Sequence, residues 1–232
     1  MSRRLIQGGT ILHLDPPRVE QADVLVVDGR ISEVGMGLES PADCERVDAH
    51  QKWVMPGLVV AHHHLYSALA CGMPLPARAP ENFSEMLEKV WWRLDRALDP
   101  DSVEVSGLVG GLQCLRAGVT TVVDHHASPS FIEGSLECLD GALDVIGVRR
   151  VLSYEVTDRG GTAQAAQGLR AHQNLLSQDG GGRRALMIGA HANFTLSDET
   201  LRACGDLARS AGVGVHIHVA EALDDEKTTG EP

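Results

Sequence analysis

The sequence predicts an α/β fold, and three observations carry that prediction. From Val54 onward, apolar runs rich in β-branched residues alternate with stretches of helical periodicity through five successive units, the pattern of a parallel sheet covered by helices. Each of the five strand-like runs ends in imidazoles or carboxylates. No Gly-rich phosphate loop follows any of them, which weakens a nucleotide-binding reading. Five strand–helix units fit either an open doubly wound sheet or a (β/α)8 barrel, and periodicity alone does not choose between them.

Residues 1–53 precede this texture and read as a small antiparallel β domain. Leu5-Ile6 and Thr10-Ile11-Leu12 flank Gly8-Gly9, and Asp23-Val24-Leu25-Val26-Val27 runs into the Asp28-Gly29 turn signal. Arg30 to Val34 then returns with alternating polarity. No chemistry is evident here, so its expected role is structural.

Residues 54–232 form the second predicted domain. Val54-Met55-Pro56-Gly57-Leu58-Val59-Val60-Ala61 reads as a buried strand, interrupted once by Pro-Gly, that delivers His62-His63-His64 to its C-terminal end. A loop over 72–80 holds Pro74, Pro76 and Pro80, which no regular element tolerates. Met86, Leu87, Val90, Trp91 and Leu94 recur at helical spacing, predicting a helix over 83–98, and a second covers 101–117 with Gly118 as its C-cap. Strands are predicted over 119–123, 148–156, 185–188 and 213–219, with helices over 132–146, 162–176 and 197–211. The last helix opens on Ser197 with Asp198 and Glu199 in its first turn, where the helix dipole favours them.

In a strand, residues two apart share a face, so His62 and His64 can converge on one ion while His63 points away. The strand ending in His216-Ile217-His218 repeats the spacing, and Glu221 follows His218 by three residues. Between them the strand ends carry Asp124, His125 and His126, then Tyr154 and Glu155, then His191 and Asn193. Neutral imidazole is the commonest metal ligand, and a ring of imidazoles and carboxylates at one end of a wound sheet is what a metal enzyme would show.

Pro56-Gly57 followed by His62-x-His64, with His218-Val219-Ala220-Glu221 later, resembles the amidohydrolase superfamily, in particular its deaminase and chlorohydrolase branch. Within that branch the chain is most similar to the SsnA-type aminohydrolases. Trp91 to Leu98, Asp124 to Pro129 and Gly189 to Thr195 support the resemblance, which spans nearly all 232 residues. It implies a TIM-like (β/α)8 barrel of the metal-dependent hydrolase type, of which residues 54–232 supply strands 1 to 5 of 8. It also makes residues 1–53 half of a composite β-sandwich.

For the site, the resemblance implies one divalent metal ion on His62, His64 and His218, with Glu221 shuttling a proton. Zinc is expected, with iron and manganese as alternatives that also accept imidazole. The superfamily's two-metal members carry a lysine at the end of strand four; Gly189-Ala190-His191 stands there instead, implying a single metal. A cation in such a site lowers the pKa of bound water toward about 7, and Glu221 is suited to take that proton and pass it to a departing nitrogen. His218 is therefore preferred to His216, which reads as a buried, hydrogen-bonded core histidine. Tyr66, His125, Tyr154 and His191 are the candidates for holding substrate. His13, His50 and His172 lie away from the strand ends and receive no role, and Trp91 and Trp92 read as packing or a subunit contact.

Composition narrows the partners. A formal net charge of −12 and 3% aromatics argue against a nucleic-acid or anionic-membrane partner, so a small-molecule substrate is expected. Five scattered cysteines without a C-x-x-C pair fit reduced thiols in the cytoplasm, and no window approaches a membrane-spanning length.

The resemblance continues beyond strand five with three further strands, a histidine and an aspartate that this sequence does not hold. The expected reading is a shortened product whose 232 residues alone have little or no hydrolytic activity, or one that works with a complementing C-terminal segment or as a homo-oligomer. The function implied is hydrolysis of a C–N bond in a small heterocyclic or amidine substrate. Hydrolysis of a cyclic amide or carbon–halogen bond at the same site is the alternative, as is a catalytically dead metal-binding fragment.

Overall fold

In the computed structural model, residues 2–230 are described, and the chain divides into two compact units, 1–57 and 58–232. The first unit is a five-stranded sheet. Strands β1 (Arg3–Leu14), β2 (Pro17–Val27) and β3 (Arg30–Gly35) pair antiparallel in succession, while β4 (Glu45–Asp48) and β5 (Trp53–Val54) pair parallel with β1. The sheet is thus mixed, not purely antiparallel as its hairpin signals suggested, because β4 and β5 return to β1 instead of extending the meander.

The Gly8-Gly9 interruption is a bulge inside one long strand. Gly8 takes φ +71°, which an L side chain would resist, and its N–H donates to Asp23 Oδ1 at 2.7 Å. The run over 54–61 is also divided: Trp53 and Val54 join β1, and only from Leu58 does the chain enter the second unit.

The second unit begins with β6 (Leu58–His63). A helical segment follows, made of α1 (Phe83–Met86), a π-turn over Leu87–Trp91 and α2 (Trp92–Ala97), and then α3 (Pro100–Arg116). Strand and helix then alternate: β7 (Val119–His126), α4 (Ser135–Ile146), β8 (Arg149–Tyr154), α5 (Thr162–Leu176), β9 (Arg184–Leu186) with β10 (Ile188–Ala192), α6 (Asp198–Ala211), β11 (Val215–His218) and α7 (Leu223–Gly230).

All strand pairings here are parallel and in chain order, β6-β7-β8-β9 and β10-β11, with Val156 bridging to Ala190 to link the two ladders. Among the described residues β6 and β11 pair on one side only. Leu58 and Val59 are 49% and 61% exposed, so β6 is not the buried strand its apolar run suggested: an end strand leaves one edge and part of one face uncovered.

The core lies between the sheet and α3, α4 and α5. Asp99 caps α3 through a reciprocal pair with Ser102, and Pro100 sits at the first helical position, where its missing N–H costs nothing. Gly107, Gly110 and Gly111 line one side of α3 so closely that a Cβ on Gly110 would stand 2.5 Å from Leu65 Cδ2 and one on Gly111 2.8 Å from Leu143 Cδ2. Leu65 is fully buried in that notch, and its N–H donates to Asp124 Oδ1 at 2.7 Å. The residue after His64 is thereby fixed from both its side chain and its backbone.

Candidate metal centre

Strand alternation decides which side chains face inward. On β8, Tyr154 turns toward α5, where a Cβ on Gly168 would meet its ring at 3.1 Å, while Ser153, and Glu155 just past the strand's end, face the histidines on the opposite side. On β10 the inward residues are Gly189 and His191; a Cβ on Gly189 would stand 2.1 Å from the Tyr154 carbonyl oxygen and 3.1 Å from His125 Nε2, so no side chain fits there.

Three imidazoles converge at the rim. His218 Nε2 lies 3.3 Å from His62 Nε2 and 3.3 Å from His64 Nε2, although about 155 residues of chain separate the pairs. The far nitrogens set the tautomers. His64 Nδ1–H donates to the His125 carbonyl at 2.7 Å and His218 Nδ1–H to the His191 carbonyl at 2.8 Å, leaving both Nε2 atoms directed at the shared point. His62 Nδ1 lies 2.9 Å from His216 Nε2, which holds the third ring.

A tetrahedral zinc with Zn–N of about 2.0–2.1 Å has N···N edges of about 3.3–3.4 Å, the spacing of His218 Nε2 from both His62 Nε2 and His64 Nε2. The donor set fits a divalent ion. Burial, with the neighbouring His64, His218 and His216, lowers His62 to about 4, so it is neutral and able to ligate near neutral pH.

Around this point lies a cavity of about 260 Å3. Tyr66, His191 and Glu221 line it together with the three histidines, and Trp91, Trp92, Asp95 and Glu155 complete its polar and aromatic wall. Ala220 adopts φ +54°, turning the chain between His218 and Glu221, and the Glu221 N–H donates to Asp225 Oδ2 at 3.2 Å. His191 is lowered to about 4 by burial, and its Nδ1 meets Thr195 Oγ1 at 2.7 Å.

Two of the predicted substrate contacts stand elsewhere. Tyr154 does not line the cavity: odd and even residues of β8 face opposite sides, and its position falls on the helix side. His125 lies beneath the three histidines, fully buried, with its ring stacked 4.4 Å from His216 and tilted at 4.8 Å from His218. His216 is half-buried and bonded to His62, so it belongs to the centre's surroundings and is not a core histidine.

Further residues to which the sequence assigned no part in the chemistry surround the centre. Glu155 is 4% exposed, with Oε1 3.2 Å from His64 Nδ1 and Oε2 3.7 Å from His191 Nε2. Burial opposes its ionisation, yet His125, His191 and His64 together hold its carboxyl well below the usual range. Against the opposing effect of burial, Glu155 pushes His64 up to about 9. At the cavity wall Asp95, nearly fully buried, pairs with Arg159 at 2.7 Å, and the guanidinium sits 4.6 Å above the Trp92 ring.

His172, on α5, lies behind the sheet. Its Nδ1–H donates to the Gly168 carbonyl at 2.8 Å, and its Nε2 accepts from both Tyr154 N–H and Gly189 N–H at 3.0 Å, where the β8–β9 ladder opens. The i, i+4 spacing of Gly168 and His172 is the only hint of this in the sequence.

Known proteins share both the sequence and the architecture. The model of the Amidohydrolase family matches residues 53–231. A 5-methylthioadenosine/S-adenosylhomocysteine deaminase of Symbiobacterium thermophilum is 30% identical over 97% of this chain and 51% of its own length. An 8-oxoguanine deaminase of Pseudomonas aeruginosa is 30% identical over 88% of this chain and 48% of its own. Among solved structures, an adenosine deaminase from Xanthomonas campestris with bound zinc superposes with TM-score 0.81 at 19% identity, covering 99% of this chain and 52% of the other. A triazine hydrolase variant gives 0.80 at 23% identity, covering 99% and 55%. The chain spans about half the length of the curated relatives it matches. The parallel strands of the second unit are strands of the TIM-like barrel shared by these neighbours, and the chain belongs to the amidohydrolase family.

Proposed function

We propose that this chain carries the metal-binding and proton-transferring part of a hydrolytic deaminase site, acting on a C–N bond of a small amino-substituted heterocycle. What carries the reading is His218 Nε2 at tetrahedral-edge distance from both His62 Nε2 and His64 Nε2, on a cavity wall that also holds Glu221. Those three imidazoles would hold one divalent ion, zinc by preference, consistent with the zinc in the Xanthomonas structure. When bound, such an ion makes water nucleophilic near neutral pH.

The chain's own groups do the remainder. Glu221 takes a proton at its carboxylate and returns it to the departing nitrogen, acting as base and then acid. Tyr66 and His191 flank the cavity and would hold the substrate ring; His125 supports the imidazoles from below. Purine-type substrates are favoured, since the matched relatives are named as deaminases of adenosine derivatives and of 8-oxoguanine. The same names favour ammonia over halide or ring-opened products.

The five cysteines are free, which supports a cytoplasmic site of action; no helix of the described residues is long and apolar enough to cross a membrane.

The test is ammonia release by the zinc-loaded chain from a panel of aminopurines, their nucleosides and triazines, with Glu221→Gln beside it. Ammonia that depends on Glu221 supports the reading, even at a low rate. Ammonia that survives Glu221→Gln removes the proposed acid–base role, and metal binding without any ammonia leaves the chain as a metal-binding unit only.

A further inference from the structure

We propose that Glu155 is a positioning residue of the metal centre, acting through His64 to align that ligand and to supply the negative charge that three neutral imidazoles cannot. This rests on the reading of His62, His64 and His218 as metal ligands.

Glu155 lies just beyond the end of β8, and its N–H donates to the His126 carbonyl at 2.7 Å, fixing the backbone from which the side chain points inward. That side chain is 4% exposed, and Oε1 accepts no hydrogen bond among the described residues. Its ion-pair neighbours among those residues are imidazoles alone: His64 Nδ1 at 3.2 Å, His125 Nδ1 at 3.9 Å and His191 Nε2 at 3.7 Å. A buried carboxylate short of hydrogen bonds is costly unless a cation stands nearby. Among the described residues no Lys or Arg is an ion-pair partner of Glu155, so the matching positive charge comes from the imidazoles or from a divalent ion that His64 would hold.

The geometry also gives the carboxylate its means of action. The His64 Nδ1–H already donates to the His125 carbonyl, and Glu155 Oε1 approaches the same nitrogen from another side. The carbonyl accepts the Nδ1 proton, the carboxylate's charge beside it holds that proton there, and Nε2 is left toward His218. An outer carboxylate of this kind makes a ligating imidazole more basic, and its loss typically weakens metal binding about 10–100-fold.

The experiment is zinc affinity of the 232-residue chain, by competition with a chromophoric chelator, for wild type, His218→Ala, Glu155→Gln and Glu155→Asp. Glu155→Gln is expected to bind zinc about 10–100-fold more weakly with an unchanged far-UV circular dichroism spectrum. Its cobalt-substituted form should keep the wild-type visible band shape, because the coordinating nitrogens are unaltered. Glu155→Asp, which keeps the charge, is expected to recover part of the affinity. Wild-type affinity in Glu155→Gln overturns the inference, and so does a changed cobalt spectrum, which would make Glu155 a direct ligand. If Glu155→Gln does not fold, Glu155→Asp alone decides: severalfold weaker binding is expected, and wild-type affinity overturns the role. Failure of the underlying reading has a different signature, namely zinc binding by wild type that is absent or indifferent to His218→Ala.

Discussion

His218 Nε2 lies 3.3 Å from His64 Nε2 across 154 residues of chain, with each ring's Nδ1–H tied to a backbone carbonyl. Both Nε2 atoms are directed at one point before any ligand arrives, so the site is preorganised and each nitrogen matters. His62→Ala, His64→Ala and His218→Ala are each expected to weaken zinc binding by more than the ~100-fold typical of outer partners. His63 is the internal control, since it sits between His62 and His64 on the other strand face and does not line the cavity. His63→Ala should leave zinc affinity unchanged in equilibrium competition with a chelator.

His172 serves the fold behind the site. His172→Ala orphans two buried backbone N–H groups, each costing about 1–3 kcal/mol, so a loss of about 2–6 kcal/mol in urea unfolding is expected. Burial holds the imidazole down at about 4, below the unfolded value of 6.5. The unfolded chain therefore takes up a proton first, and this contribution to stability fades as pH falls from about 6.5 toward 4.

Asp124 behaves in the opposite sense. Burial raises its carboxyl to about 7, with the Leu65 N–H opposing. Between about 4 and 7 the folded chain holds a proton that the unfolded chain has lost, so stability falls as pH rises through that window. Asp124→Asn keeps an acceptor for the Leu65 N–H and cannot ionise. Each tenfold change in a protonation equilibrium is worth ~1.4 kcal/mol, so the variant is expected to be a few kcal/mol more stable than wild type at pH 8, with the gap closing by pH 4. Paired urea titrations across pH check this, and a gap that does not change with pH would contradict it.

Asp95 and Arg159 form a pair almost fully withdrawn from water. Arg159→Ala leaves the carboxylate buried and unmatched and is expected to cost about 3–5 kcal/mol, more than Arg159→Ala adds in an Asp95→Asn background. The cycle is read by denaturant unfolding; equal costs in both backgrounds would mean that the pair is uncoupled.

Much of this was legible in the chain because its signals are local. Thr162–Leu176 shows as a helix from its own periodicity, and the spacing of His62, His64, His216 and His218 marks strand ends carrying imidazoles. The mixed pairing of β4 and β5 was not legible, since four- and two-residue strands carry too little pattern. The exposure of β6 escaped for another reason: an apolar run reports composition, while burial depends on how many neighbours the strand acquires. Alternation puts Tyr154 on the helix side, and Glu155, visible at the same strand end, has no motif around it that would mark its role. His172 gave no sign because its partners are backbone groups, which every sequence possesses.

The central claim is that three distant imidazoles share one ion. X-ray absorption at the zinc edge of the loaded 232-residue chain tests it most directly. One zinc per chain is expected, with a shell of nitrogens at about 2.0–2.1 Å, imidazole multiple scattering from three rings, and loss of one ring in His218→Ala. A spectrum without imidazole scattering, or one that His218→Ala leaves unchanged, would contradict the account.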